Sequence, residues 1–335
     1  MTQSGTRRGI LSIIVGILVK YNTIFIFAVL VILSSALSTS FFTLQNIFNV
    51  LRLQAPHLCI SMGLLFVMLI GGIDLAAGAT AGLTGMIMVM SLTKWGFFGY
   101  GGLAGAILVA LAVAVVIGLL IGILISYVNL VPFIVTLAFS SICRGLTYIL
   151  SGGQPVRLES ANPGSAFWID MGAGSVPGLG IPWAVLITFI FIIAFHLIKR
   201  YTGFGRMLLA TGSNEEAVRL SGVNVNKYKI SGYVISAFMA ATAGMLIAAR
   251  ASIAAANAGT NYELDAIAGC VIGGVAMKGG KGDVFLVVIG SLTLGLIGNI
   301  MNLLSLAAYP QQVIKGCIIL AAIILQIATD TRERK

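Results

Sequence analysis

Residues 203–229 read GFGRMLLATGSNEEAVRLSGVNVNKYK and are the longest polar passage in a chain whose residues are 59% hydrophobic. The cations of this passage, together with the two just before it, are Lys199, Arg200, Arg206, Arg219, Lys227 and Lys229. Positive charge next to membrane spans marks the cytoplasmic side of a membrane protein. The passage therefore predicts a cytoplasmic segment held between two spans.

The order of residues inside this passage predicts a short polar helix. Ser213 is a suitable N-cap, and Glu216 follows it at the spacing of a capping box. Glu215 and Glu216 would lie in the first turn, where carboxylates interact favourably with the positive end of the helix dipole. Gly222 would end the helix, because glycine adopts the left-handed conformation at low cost. An ordinary hydrophilic loop is the alternative, and the local sequence leaves both open.

The rest of the chain has the composition of a polytopic membrane protein. Its mean hydropathy is +1.05, and 9% of its 335 residues are charged. A span needs about 20 apolar residues. Such runs recur at 23–40, up to 70, 75–93, 101–127, 131–150, 183–198, 230–249, 262–277, 284–304 and 311–328. We therefore expect an all-α polytopic membrane protein with about ten transmembrane helices, or about eight if 57–93 forms a re-entrant pair. Residues 44–57 mix polar and large apolar side chains, which predicts an amphipathic segment ahead of the second span.

The distribution of charge agrees with a cytoplasmic N-terminus. With about ten spans, most of the 20 Lys and Arg residues would be cytoplasmic, and the outer loops would hold only Lys94 and Arg157. Topology thus explains the net charge of +10, so no nucleic-acid partner is implied. The expected organisation is a cytoplasmic or interfacial N-terminus (1–22), a transmembrane domain (23–328) with a cytoplasmic loop (201–229) and an outer loop (151–182), and a cytoplasmic tail (329–335).

The sequence shows no cluster of catalytic or metal-binding side chains. His57 and His196 are far apart, and the four cysteines stand singly in apolar segments. Residues 278–282, KGGKG, lack the spacing and the Ser or Thr of a phosphate-binding loop, which favours a tight glycine turn. No catalytic, cofactor or metal site is predicted.

Few polar residues fall within the predicted spans. The candidates to line a translocation path are Asp74, Arg144, Asn299 and Asn302. Asp74 could equally cap the helix that follows it, and Arg144 could extend to the interface or pair with Asp74. The two asparagines could instead hydrogen-bond across helices. Glu263 and Asp265 are predicted to be charges at a helix start.

Two glycine pairs interrupt the apolar runs. Residues 70–73, IGGI, resemble residues 272–275, IGGV, and each is followed by a glycine-rich apolar helix and later by a proline. We predict helix breaks at Gly71–Gly72 and Gly273–Gly274, as parts of an internal pseudo-repeat. Transporters are often built from such repeats.

Four motifs resemble those of bacterial monosaccharide ABC importer permeases, the ribose-permease family. The motifs are GGIDL at 71–75 with Gly78, GSNEEAVRLSGVNV at 212–225, YELDAIA at 262–268 with GGKG at 279–282, and QQVIKG at 311–316. The chain departs from the family pattern at Ala76 and Ala77, where the family has Ser-Val, at Ser213, where it has Gly, and at 276–278. The resemblance extends from about residue 40 to residue 328 and implies a fold similar to type II ABC importers.

The resemblance implies a non-catalytic permease subunit of an ATP-driven importer for a monosaccharide such as ribose or a related pentose or hexose. Its coupling helix, which would dock on the ATPase, would comprise Ser213, Asn214, Glu215, Glu216, Ala217, Arg219 and Gly222. The implied partners are ATPase subunits, as separate chains or as one chain with two ATPase domains, a periplasmic sugar-binding protein, a second permease copy and the lipid bilayer. The implied location is the bacterial inner membrane, with both termini cytoplasmic. The alternative is an ion-coupled secondary sugar carrier, which should carry ion-coupling carboxylates.

Overall fold

The computed structural model describes residues 22–333, which form thirteen α-helices and two short strands. The helices are α1 (Asn22–Leu37), α2 (Leu44–Leu69), α3 (Ala77–Thr93), α4 (Gly99–Ser126), α5 (Pro132–Ser151), α6 (Pro163–Ala173), α7 (Trp183–Tyr201), α8 (Gly203–Ser213), α9 (Glu215–Leu220), α10 (Val225–Ala251), α11 (Tyr262–Ile272), α12 (Val284–Leu303) and α13 (Ala308–Glu333). The strands are β1 (Val156–Arg157) and β2 (Ile253–Ala254). The predicted N-terminal segment lies outside the described residues, apart from Asn22.

Six of the described helices, α2, α4, α5, α7, α10 and α12, are long and apolar enough to cross a membrane. Helices α1 and α3 are apolar but shorter. The chain is therefore a mostly helical, multi-pass membrane protein, as predicted. Length and composition do not confirm the finer prediction of about ten spans.

Helix α2 is longer than the sequence predicted. Residues 44–57 were expected to form a separate amphipathic segment, but α2 runs unbroken from Leu44 to Leu69 with Pro56 inside it. From Leu58 to Leu69 every residue is buried. Only the boundary before the second span was wrong: the first half of α2 has exposed and buried sides, as predicted, and the side chain of Asn46 there bonds that of Asn299 on α12.

Helices α2, α3 and α10 form the centre of the fold. Helix α3 is buried from Ala77 to Leu92, and α10 packs against α2, α3 and α4. Small residues allow this close approach. A Cβ atom added to Gly85 of α3 would lie 2.7 Å from the carbonyl oxygen of Gly244 on α10.

The predicted polar loop at 151–182 is folded onto the helices. Strand β1 pairs antiparallel with β2, with Val156 opposite Ala254. Helix α6 packs on α4 and α10, and the indole nitrogen of Trp168 donates to the carbonyl oxygen of Met245 at 3.2 Å. Asn162 caps α6 by accepting from the Gly164 amide. The prediction of a plain loop missed this helix because its burial comes from distant elements.

Both predicted glycine breaks are helix ends with the same hydrogen-bond pattern. After α2, Gly71 has φ +75°, and the Gly72 amide donates to the carbonyl oxygen of Val67 at 3.0 Å. After α11, Gly274 has φ +77°, and the Val275 amide donates to the carbonyl oxygen of Cys270 at 3.0 Å. These are Schellman ends, in which glycine supplies the left-handed residue. In the structure, Gly71 therefore corresponds to Gly274. Alignment of IGGI with IGGV would instead pair Gly71 with Gly273.

Candidate functional site

The polar passage at 203–229 forms two helices and the start of a third. Helices α8 and α9 are separated only by Asn214, whose backbone is extended and whose side-chain oxygen accepts from the Ala217 amide at 2.9 Å. Asn214 is therefore the N-cap of α9. The prediction of Ser213 as the cap was wrong because Ser213 is the last residue of α8. The capping box with Glu216 is excluded for the same reason.

The other signals for α9 are confirmed. Glu215 and Glu216 lie in its first turn. Gly222 has φ +79°, and the amides of Gly222 and Val223 donate to the carbonyl oxygens of Arg219 and Val218 at 3.1 and 3.4 Å. The helix thus has a side-chain cap at one end and a Schellman end at the other. It is an ordered helix rather than a loop.

One side of α9 is bound to its own chain, and the other is open. Glu215 pairs with Arg219 at 2.8 Å and with Lys229 at 2.6 Å, and Val218 is buried. Glu216 and Ala217 are exposed, and Leu220 is 83% exposed. These three side chains therefore form the open face of α9.

The turn between α8 and α9 packs against the end of α2 and the turn before α12, which are themselves joined by a backbone hydrogen bond. The Gly280 amide donates to the carbonyl oxygen of Leu69 at 2.9 Å. A Cβ atom at Gly212 would overlap that same carbonyl oxygen and would lie 2.6 Å from the Gly280 amide nitrogen. A Cβ atom at Gly279 would lie 2.7 Å from the amide nitrogen of Gly71. We call Gly71, Gly212, Gly279 and Gly280 the glycine junction.

The KGGKG passage supplies two members of this junction. Gly279 and Gly280 have φ +90° and +75°, and the Ala276 amide donates to the carbonyl oxygen of Lys281 at 2.9 Å. The passage is the tight glycine turn that its sequence predicted. It connects α11 to α12.

A polar cavity of about 200 Å³ lies among α2, α11, α12 and α13, and Arg250 in the last turn of α10 also lines it. Its polar lining includes Gln54, His57, Asp265, Asn299, Asn302 and Lys315. Two of the four predicted path residues therefore share one cavity. Asp74 and Arg144 do not line it, and a role for the four in a translocation path stays a prediction.

Both cavity asparagines make hydrogen bonds between helices. Asn299 and Asn46 exchange amide hydrogen bonds of 2.9 and 3.2 Å. The side-chain oxygen of Asn302 accepts from the side-chain nitrogen of Gln311 on α13 at 2.9 Å. These residues thus join α12 to α2 and α13 while facing the cavity.

The cavity also contains a charged cluster that sequence reasoning missed. Asp265 lies in the first turn of α11, as predicted, but its carboxylate is 3.3 Å from Lys315 and 3.7 Å from the His57 imidazole. The His57 ring stacks on that of Tyr262, with 3.9 Å between centroids. The residues come from three helices that are distant in sequence, so no local pattern identifies the cluster. The only signal in the sequence was that Asp265 and Lys315 each lie within a predicted span.

Asp74 and Arg144 hold other parts of the fold. Asp74 is 2% exposed and accepts from the Ala76 amide at 2.9 Å and from the Ser236 hydroxyl at 2.6 Å. Arg144 donates at 2.7 Å to the carbonyl oxygens of both Ala256 and Ala258. Asp74 therefore bonds to the start of the next helix and to α10, whereas Arg144 fixes the segment before α11 instead of pairing with Asp74.

A multi-pass helical domain with a polar cavity among its helices and a capped, exposed helix in a basic loop defines a membrane permease. The family described as branched-chain amino acid transport system / permease component matches residues 46–323, and the chain belongs to this family. It is 34% identical to the ribose import permease protein RbsC of Haemophilus influenzae, over 94% of this chain and 95% of that protein. It is 34% identical to the D-allose transport system permease protein AlsC of Escherichia coli (91% of each chain) and 36% identical to the L-arabinose transport system permease protein AraH of E. coli (91% of this chain, 89% of that protein). No solved structure matches the chain.

Proposed function

We propose that this chain is the non-catalytic, membrane-spanning permease subunit of an ATP-driven importer for a monosaccharide. Similar proteins carry the names of permeases for ribose, D-allose and L-arabinose, which are all neutral sugars of five or six carbons. A neutral solute needs no buried ion-binding site. The substrate class is therefore pentoses and hexoses.

The observation that carries the proposal is the construction of α9. Its cap, its Schellman end and the ion pairs of Glu215 fix the helix to its own chain. Glu216, Ala217 and Leu220 remain exposed on the other side. A short rigid helix with an exposed apolar anchor can dock on an ATPase and transmit its movement. We assign α9, from the Asn214 cap to Gly222, to this coupling role.

The glycine junction provides a route from α9 to the membrane helices. Gly212 precedes the cap of α9 by two residues and packs against the end of α2 and the turn before α12. The contacts are between backbone atoms, so no flexible side chain absorbs a displacement. Movement of α9 would therefore shift α2 and α12, which line the cavity farther along their lengths.

The same proposal includes a type II-like fold with about ten crossings. Helices α1, α3 and α13 would cross together with the six long apolar helices, and the tenth crossing would be residues 262–277, which combine the 11-residue α11 with the turn that follows it. The matching Schellman ends at Gly71 and Gly274 support an internal pseudo-repeat. The loop at 201–229 and the tail at 329–335 would face the cytoplasm, and 151–182 the outside of a bacterial inner membrane.

The proposed partners follow from this arrangement. An ATPase, as two chains or as one chain with two ATPase domains, would bind α9. A periplasmic sugar-binding protein would dock on the outer face, and a second copy of the permease would complete the membrane unit. The similar proteins give no support to the alternative of an ion-coupled carrier.

The test is sugar uptake into proteoliposomes that contain the chain with its co-purified ATPase and are supplied with its sugar-binding protein. We expect ATP-dependent uptake of labelled D-ribose, D-allose or L-arabinose, and loss of uptake in Gly222→Pro at unchanged protein level. Gly222 needs a positive φ that proline cannot adopt. Uptake driven by an ion gradient in the absence of ATP would overturn the proposal.

A further inference from the structure

We infer that the polar cavity among α2, α11, α12 and α13 is a binding station for the transported monosaccharide. This inference rests on the proposed function. A cavity of about 200 Å³ is far larger than the roughly 10–15 Å³ that a single water needs. The cavity therefore has room for a small polar ring rather than for a single trapped water.

The cavity wall keeps hydrogen-bonding groups that the protein does not use. Within residues 22–333, the side chains of Gln54 and Arg250 and the amide nitrogen of Asn302 have no hydrogen-bond partner. A sugar hydroxyl both donates and accepts, so amide, guanidinium and carboxylate groups that line one cavity suit it. Ligand sites commonly combine a mostly preformed cavity with a few placed polar groups.

The charged cluster leaves the Asp265 carboxylate available to a sugar hydroxyl. Asp265 and Lys315 neutralise each other at 3.3 Å, and His57 lies beside the same carboxylate. The carboxylate can accept from a sugar hydroxyl while it keeps its own cation, and hydrogen bonds to charged groups are stronger than neutral ones. The stack of His57 on Tyr262 holds two rings of the wall in place.

The position of the cavity fits a station on the outer side. Gln54 and His57 lie on the same helix as Leu69, which contacts the glycine junction. Twelve residues of helix separate His57 from Leu69, a rise of about 18 Å. With α9 at the cytoplasmic face, the cavity lies in the opposite half of the domain. Two of the helices that line it are linked to the α8–α9 turn at their other ends, α2 through Leu69 and α12 through the turn that precedes it, so coupling would reshape the site.

The first test measures whether sugar protects a cysteine placed in the cavity wall. Asn302→Cys is made in a Cys317→Ser background, because Cys317 is exposed whereas Cys59, Cys143 and Cys270 are buried. We expect D-ribose, D-allose or L-arabinose at ten times its Kd to slow labelling by a water-soluble maleimide about tenfold.

Leu304→Cys is the matched control, because Leu304 caps the same helix, is 47% exposed and does not line the cavity. Its labelling should be unaffected by sugar.

The second test measures uptake kinetics in the complete importer. Asp265→Asn should raise the KM for sugar at least about tenfold, because a hydrogen bond to a charged group is lost. Asp170→Asn, at an exposed position on α6, should leave the KM unchanged. If the unaltered chain imports sugar with ATP but Asn302→Cys is not protected and Asp265→Asn keeps its KM, the inference is overturned and the proposed function stands. If the unaltered chain imports none of the three sugars, both the inference and the proposed function are overturned.

Discussion

The amide nitrogen of Gly280 lies 2.9 Å from the carbonyl oxygen of Leu69, and this hydrogen bond joins the turn before α12 to the last residue of α2. Gly212, at the end of α8, packs against both atoms. Three segments that are distant in sequence therefore meet through their backbones, two residues before the cap of the proposed coupling helix. Glycine is required there because a side chain would occupy the space of a neighbouring main chain.

A methyl group at Gly212 should disturb this junction. Gly212→Ala would overlap the Leu69 carbonyl, and overpacking of this kind costs about 1–3 kcal/mol. We expect a lower apparent melting temperature of the purified chain in detergent and reduced uptake. Gly145→Ala is the control, because nothing lies within 4 Å of its Cβ position and α5 should gain up to about 1 kcal/mol. Equal effects of the two substitutions would contradict the junction.

Removing the side chain of Asn214 should loosen α9. Loss of an N-cap costs about 1 kcal/mol, which is about a fivefold change in the local opening equilibrium. Hydrogen exchange at the Ala217 amide should accelerate by about that factor in Asn214→Ala. Ser213→Ala should leave exchange at Ala217 nearly unchanged, since Ser213 belongs to α8. A larger acceleration in Ser213→Ala than in Asn214→Ala would show that Ser213 is the cap.

The two neighbouring glutamates of α9 should behave differently when their charge is reversed. Glu216 is exposed and makes no ion pair with another described residue, so Glu216→Lys should weaken ATPase binding at a stability cost of only about 0.3–1 kcal/mol, from the helix dipole. Glu215→Lys would also break the ion pairs with Arg219 and Lys229. It should lower both binding and stability. Pull-down of the ATPase and thermal unfolding measure the two effects, and a Glu216→Lys chain as destabilised as Glu215→Lys would contradict the assignment.

Arg144 should contribute to stability independently of Asp74. Arg144→Met removes two hydrogen bonds of 2.7 Å to the segment before α11, and hydrogen bonds to charged groups contribute about 1.5–3 kcal/mol each. We expect a marked fall in melting temperature, which exposed Arg157→Met should not show. Since Asp74 bonds to Ser236 instead, the effects of Arg144→Met and Asp74→Asn should add. Strong non-additivity would show that the two residues interact.

Local signals predicted the helices well and the cavity poorly. Acidic residues at its start and Gly222 at its end identified α9, because both act within one turn of the backbone. The cap was misplaced by one residue because α8 continues through Ser213, and Ser213 packs against Gly280, 67 positions away in the sequence. A prediction from neighbouring residues cannot take account of such a contact.

The cavity depends on pairs that no window of sequence contains. Lys315 and Asp265 are 50 positions apart, and Asn46 and Asn299 are 253 positions apart. Asn299 and Asn302 were identifiable because amides are rare in apolar runs. Their partners became identifiable only when the fold brought α2, α12 and α13 together.

The measurement that tests the central claim most directly is gentle affinity purification of the tagged chain from its own membranes, with identification of the proteins that accompany it. We predict a stoichiometric ATPase that Glu216→Lys releases while the permease itself stays folded, and sugar uptake that requires ATP. A chain that purifies alone and moves sugar into vesicles down an ion gradient without ATP would contradict the account.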